Sequence, residues 1–163
     1  MFSQVLSDQP AVEPTLEAWV GFLRAHASLT RQLSARLEAA HGLTLNDYDV
    51  MVHLAYTPGR QLRRVDLARS VLLSPSGITR LLDGLEREGW VAKGHCTSDA
   101  RVTYAVLTDA GLAKFKAARA THIVDIEALF GSRFTPEELA TLSSLFGRLL
   151  DTDEPAACLQ EPA

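Results

Sequence analysis

Leu67-Ala68-Arg69-Ser70-Val71-Leu72-Leu73-Ser74-Pro75-Ser76-Gly77-Ile78-Thr79-Arg80-Leu81-Leu82-Asp83, followed by Gly89-Trp90-Val91, Asp99-Ala100-Arg101 and Leu107-Thr108-Asp109-Ala110-Gly111, is the stretch that decides the fold. It reads as a short helix, a tight turn, a second helix, two strands and the start of another helix. Ser74-Pro75 is an N-cap followed by proline at the first helical position, where its missing N–H costs nothing. Ile78, Leu81, Leu82 and Leu85 then recur at helical spacing on one face. From Trp90 to Leu107 the period changes, with Val102, Tyr104 and Val106 alternating with smaller residues, so the segment reads as two strands joined at a Cys96-Thr97-Ser98-Asp99 tip. A short helix, a capped second helix and a basic hairpin make a winged helix-turn-helix: mainly α with a small β-hairpin wing, an α+β arrangement.

Outward from this centre, the same start signal recurs. A Ser or Thr N-cap is preceded by an apolar residue positioned to staple onto the first helical turns: Leu43 with Tyr48 around Thr44, Leu73 with Ile78 around Ser74, Leu107 with Leu112 around Thr108, and Phe134 with Leu139 around Thr135. Thr135-Pro136-Glu137-Glu138 adds a capping box. These signals place helices at about 45–56, 75–88, 109–130 and 136–150. A further helix at about 64–71 precedes the tight turn. A long first helix from Pro14 to about residue 40 carries the stripe Leu16, Val20, Leu23, Ala27, Leu33 and Leu37, broadened by Trp19 and Phe22, and Gly42 stops it. The expected winged unit is 44–107, flanked by helical segments 14–43 and 108–150, with flexible termini at 1–13 and 151–163.

The chain of 163 residues has a formal charge of −4, which by itself points to no acidic partner. The distribution is more telling. Residues 60–101 hold eight Lys/Arg against five Asp/Glu, a net +3, leaving 8 against 15, or −7, for the rest. A basic middle in an acidic frame suits local phosphate contact. Cys96 and Cys158 make no CxxC pair or zinc spacing, and the five histidines reproduce no metal-ligand pattern, so neither a metal nor another cofactor is expected. No basic-then-apolar leader opens the sequence, and no apolar run reaches membrane-spanning length, so the expected compartment is the cytoplasm with thiols reduced. No Ser/His/Asp grouping, phosphate-cradling glycine loop or paired-carboxylate motif suggests catalysis.

The polar face of helix 75–88 is small at its N-terminal end, with Ser76, Gly77 and Thr79 beside Arg80. That is the shape a helix needs to enter a major groove, where an arginine grips guanine or a phosphate. Ser74 and the free N–H groups of the first turn favour a phosphate. Arg63 and Arg64 are expected to flank the DNA backbone. Lys93, His95, Asp99 and Arg101 gather at or near the wing tip. Arg101 would enter the minor groove, with Asp99 orienting its guanidinium. Double-stranded DNA is the expected partner. A winged-helix module that binds protein instead is the alternative, against which the basic centre and the Asp99/Arg101 wing argue.

The quoted stretch, with Leu85-Glu86, resembles the multiple-antibiotic-resistance regulator (MarR) family of bacterial winged-helix transcription factors, and the helix order matches from about residue 14 to 150. Leu72 departs from a common turn glycine, Gly77 from a polar residue and Lys93 from a common arginine. The resemblance implies a homodimer on a pseudo-palindromic operator, acting as a repressor released by a small molecule or oxidant. It makes the apolar helices 14–40, 109–130 (Leu112, Phe115, Ile123, Ile126, Leu129, Phe130) and 136–150 (Leu139, Leu142, Leu145, Phe146, Leu149, Leu150) the shared dimer surface. It places an effector, a phenolic or other aromatic molecule, between the dimer helices and the winged unit, where Trp19, His26, Tyr48, Met51, His53 and Arg69 are the candidates. Cys96, with Lys93 and His95 just before it, is oxidisable in principle, but the resemblance implies a reactive cysteine in the first helix, where this sequence has none.

Overall fold

The structure is a computed structural model that describes residues 13–71, 74–95 and 102–150. Helix α1 spans Glu13–His41, α2 Leu45–Tyr56, α3 Arg64–Ser70, α4 Pro75–Arg87, α5 Asp109–Leu129 and α6 Pro136–Gly147; strands are β1 Gln61–Arg63, β2 Val91–His95 and β3 Thr103–Leu107. Short 3-10 turns at Pro58–Arg60 and Gly131–Arg133 complete the described elements. No helix among the described residues is long and apolar enough to cross a membrane.

The four helix starts follow their cap chemistry. Thr44, Ser74, Thr108 and Thr135 are all extended, and each side chain accepts an N–H three residues on. Thr135 and Glu138 form the expected capping box, and Thr44 with Asp47 forms a second, unexpected one. Gly42 at φ +65 ends α1 in the left-handed region, and its N–H closes on the Glu38 carbonyl. Leu72 and Leu73 lie outside the described residues, so the staple at the second of these starts does too.

The sheet has three strands where the sequence suggested two. It is antiparallel in the order β1-β3-β2, with Leu62 opposite Ala105 and Lys93 opposite the same residue on the other side. Strand β1 has only three residues and one apolar side chain, too little for an alternation to register. Ala105 and Leu107 are buried, while Val102, Tyr104 and Val106 are half-exposed. The larger side chains serve instead to cover Gly94, where a Cβ would lie 2.9 Å from Val106 and 3.2 Å from Tyr104.

The core gathers the apolar faces of α2, α3, α4 and the sheet. Val50, Met51, Leu54, Leu67, Ile78, Leu82, Leu85, Val91 and Leu107 are all buried there. Phe115 and Ala118 of α5 and Leu37 of α1 join the same cluster. Phe115, expected on a dimer surface, is fully buried against Tyr48 and Tyr56 of α2. Helix α5 therefore belongs to the winged unit's core at one end. Beyond His122, the side chains of Ile123, Val124 and Ile126 are exposed. Trp19, Val20, Phe22 and Leu23 of α1 and Leu145, Phe146, Leu149 and Leu150 at the C-terminal end are exposed as well, and Phe22 meets Phe146 at 6.2 Å between ring centroids.

Candidate nucleic-acid interface

Helix α4 is oriented by what it buries. Ile78, Leu82 and Leu85 are fixed in the core, which turns Ser76, Thr79, Arg80, Asp83 and Arg87 outward. Ser74 is committed to capping: its Oγ accepts the Gly77 N–H at 3.1 Å and lies 3.2 Å from the Ser76 hydroxyl. Gly77 is half-buried, and Thr79 and Arg80 are exposed on the following half-turn. Arg80 makes no ion pair with another described residue, so its guanidinium is available to an outside acceptor. A capped first turn, small side chains and an available arginine give α4 the surface that fits the floor of a major groove.

The flanking cations are less free than the sequence implied. Arg63 donates to Asp66 at 2.6 Å yet remains half-exposed. Arg64 does not flank an open surface. Its side chain is 20% exposed and its guanidinium is paired with Glu86 of α4. Lys93, half-exposed on β2, lies 3.2 Å from the other oxygen of the same carboxylate. The sequence offered no sign of these pairs, because Glu86 is 22 residues from Arg64 and only the tertiary fold joins them. A groove of about 290 Å³ between α3 and the sheet is lined by Arg63, Arg64, Val65, Val102 and Thr103. His95 ends β2 opposite Thr103. Its side chain, Cys96, Asp99 and Arg101 lie outside the described residues, as do the two terminal segments.

The six effector candidates are sorted into separate places. Trp19 and His26 stand on the exposed half of α1, on either side of Phe22, with centroid distances of 5.9 and 6.2 Å. Met51 is fully buried among core side chains and has no surface to offer, which makes it a packing residue. Tyr48 packs on Phe115 and, at 4.7 Å, on His122. His53 is 3.8 Å from Asp49 one turn earlier, and Arg69 is exposed on α3. A groove of about 610 Å³ between α1 and α5 is lined by Arg36, Ala39, Ala40, Ala120, Thr121, Val124 and Asp125, with none of the six on its walls. Among the described residues, no group of three or more His, Cys, Asp or Glu is placed to hold a metal.

His122, which the sequence did not single out, is the buried polar residue of this region. It is 6% exposed, and its Nδ1 has no hydrogen-bond partner among the described residues. Burial holds its imidazole below the ordinary value, against the opposing pull of the Asp125 carboxylate. Asp125 is itself paired with Arg36 at 2.7 Å. Folding therefore favours the neutral ring. Its contribution is fully present above the unfolded histidine value of about 6.5 and falls away as pH drops through the lower folded value. His122→Phe, which keeps an aromatic ring against Tyr48, is expected to flatten the loss of thermal stability between about pH 7.5 and about pH 5 relative to the wild type. Melting curves of both proteins across that range check it, and parallel pH profiles would show that His122 carries none of the dependence.

Comparison with known proteins agrees with the geometry. The family model described as MarR family matches residues 41–102, from the last residue of α1 to the residue before β3. The chain is 30% identical to AbsC, a MarR family transcriptional regulator from Streptomyces coelicolor, with a TM-score of 0.74 over 81% of this chain and 88% of that one. Sco3205, a MarR family transcriptional regulator from the same organism whose structure is a complex with DNA, is 27% identical, with a TM-score of 0.77 over 86% and 92% of the two chains. The HTH-type transcriptional repressor YetL of Bacillus subtilis is 28% identical over 69% of this chain and 67% of its own length. With the helix-turn-helix, the antiparallel wing and an available arginine on α4, the chain belongs to the MarR family of winged-helix proteins, DNA-binding transcriptional regulators that are not enzymes.

Proposed function

We propose that the protein is a homodimeric repressor that binds a pseudo-palindromic operator, with α4 of each chain in a major groove. The observation that carries this reading is the surface of α4: Ser76, Thr79 and Arg80 exposed behind a capped first turn. Arg80 reads a base edge, Ser76, Gly77 and Thr79 shape the approach, and the Ser74 cap fixes the turn they stand on. Arg63 serves phosphates at the side, and Asp99 with Arg101 extends the wing toward the minor groove. The reading is supported by Sco3205, whose structure contains DNA, and by YetL, named a repressor.

The dimer is supported by the apolar side chains of α1, α5 and the C-terminal end. Trp19, Phe22, Ile123, Val124, Leu145 and Phe146 are each more than a third exposed, and clustered apolar surface of this kind marks an interface. The segments 14–43 and 108–150 form that interface around the unit 44–107. A twofold axis through it sets the two α4 helices about 34 Å apart, one turn of DNA. Release by a phenolic or other aromatic effector fits the Trp19, Phe22 and His26 rings, which a dimer partner would partly cover.

Fluorescence anisotropy with a duplex selected from a random-sequence library, across a salt series, tests the reading. Two chains are expected per site, with steep salt dependence. Arg80→Ala is expected to lose about 1–3 kcal/mol at its target base pair and to relax the preference there. A wild-type protein that selects no sequence, or an Arg80→Ala variant with unchanged selectivity, would sink it.

A further inference from the structure

We infer that Glu86 is a positioning residue for DNA recognition, its carboxylate fixing the angle between α4, α3 and the wing. Its Oε1 accepts from the Arg64 guanidinium at the start of α3, and its Oε2 is 3.2 Å from Lys93 Nζ in the middle of β2. Both oxygens are thus engaged, each by a different element. Glu86 lies in the last turn of α4 and is itself only 16% exposed. The chain between α4 and β2 is a three-residue turn through Gly89, at φ +73, which sets a direction but leaves the tilt of the strand to side-chain contacts.

Two observations separate this arrangement from an ordinary surface pair. The Arg64 and Glu86 side chains are about four-fifths buried, where charges interact more strongly and are screened less by salt. The Arg64 Nε is also buried without a hydrogen-bond partner among the described residues, a cost that an arginine extended to solvent would not bear. Arg64 is therefore held to Glu86 in the free protein, and Lys93, 51% exposed, closes on the same carboxylate from the wing. A wing and a recognition helix must meet neighbouring grooves together, so a fixed angle between them favours the matched duplex over all others. A floppy angle lets either element find phosphates alone.

The inference rests on the DNA-binding reading, and its test uses two duplexes of equal length: one selected from a random library by the wild type, one unselected. Glu86→Gln keeps the shape and frees both cations. It is expected to bind the unselected duplex more tightly, with a salt slope steeper by about 0.9 for each phosphate newly neutralised. The ratio of selected to unselected affinity is expected to fall about tenfold. Lys93→Met is expected to lower the same ratio, whereas loss of a plain phosphate contact would weaken both duplexes alike and leave the ratio intact. The double variant is expected to fall no further than the worse single one. Should Glu86→Gln unfold, the Lys93→Met ratio decides alone. Wild-type ratios in the single variants, or losses that multiply in the double one, overturn the inference while DNA binding stands. A wild type that enriches no sequence removes both.

Discussion

Gly111→Ala is expected to destabilise the protein by at least about 3 kcal/mol, lowering its melting temperature by about 10 °C. A Cβ at this position would lie 2.0 Å from the Trp90 carbonyl oxygen and 2.8 Å from Leu107 Cδ1. The carbonyl has no room to retreat. It accepts the Thr108 N–H at 3.1 Å, while the Thr108 hydroxyl donates to Gly89 O at 2.8 Å and lies 3.2 Å from the same Trp90 oxygen. Thr108 is also the cap of α5, and the Gly111 N–H donates to its Oγ1. One methyl group would thus disturb the cap, the strand end and the first turn of the helix together. Gly94→Ala is the natural comparison, since its nearest clash is with the Val106 side chain, which can rotate. Thermal unfolding of both variants checks the expectation, and a Gly111→Ala protein melting within about 2 °C of the wild type would show the turn to be soft.

Phe115→Ala is the second large loss, expected at about 3–5 kcal/mol because the site is walled in and unable to collapse. Phe115 has no exposed surface and packs between Tyr48 at 5.6 Å and Tyr56 at 6.1 Å. The ring joins α5 to α2, so removing it loosens the attachment of α5 to the DNA-binding unit as well as lowering global stability. Val65→Ala, on an α3 side chain that is 54% exposed, should stay within about 0.5 kcal/mol. Urea unfolding of the pair measures the difference; equal midpoints would mean that the Phe115 cavity refills.

How much of this is legible in the sequence depends on how local the physics is. Helix starts are written within four residues, so Thr44, Ser74, Thr108 and Thr135 announce their helices without help from the fold. The outward face of α4 is equally legible, because Ile78, Leu82 and Leu85 leave only one way to turn Arg80. Strand β1 is not, since Gln61-Leu62-Arg63 becomes a strand only by pairing with β3. Phe115 reads as a dimer-surface residue because α5 is apolar on more than one side, and spacing alone cannot say which side meets α2 and which meets solvent. The same limit applies to Arg64. An arginine in a basic stretch reads as a phosphate contact, and only the approach of α3 to α4 shows that Glu86 has claimed it.

Helix α5 runs unbroken from Asp109 to Leu129, a rod about 30 Å long. Its root is clamped at Gly111 and Phe115, and its far end presents Ile123, Val124 and Ile126. The rod is also tied to α1, where Thr121 meets His41 at 2.6 Å and Asp125 meets Arg36 at 2.7 Å, so a tilt at the root carries the two helices together: about 5° moves the far end through about 3 Å. It also keeps phase, because each residue advances the helix by about 100° and about 1.5 Å, so the bearing of the exposed patch relative to Arg80 is set by the count of residues between clamp and tip. In the proposed dimer, the reach between the two α4 helices would thereby be calibrated by the length of α5.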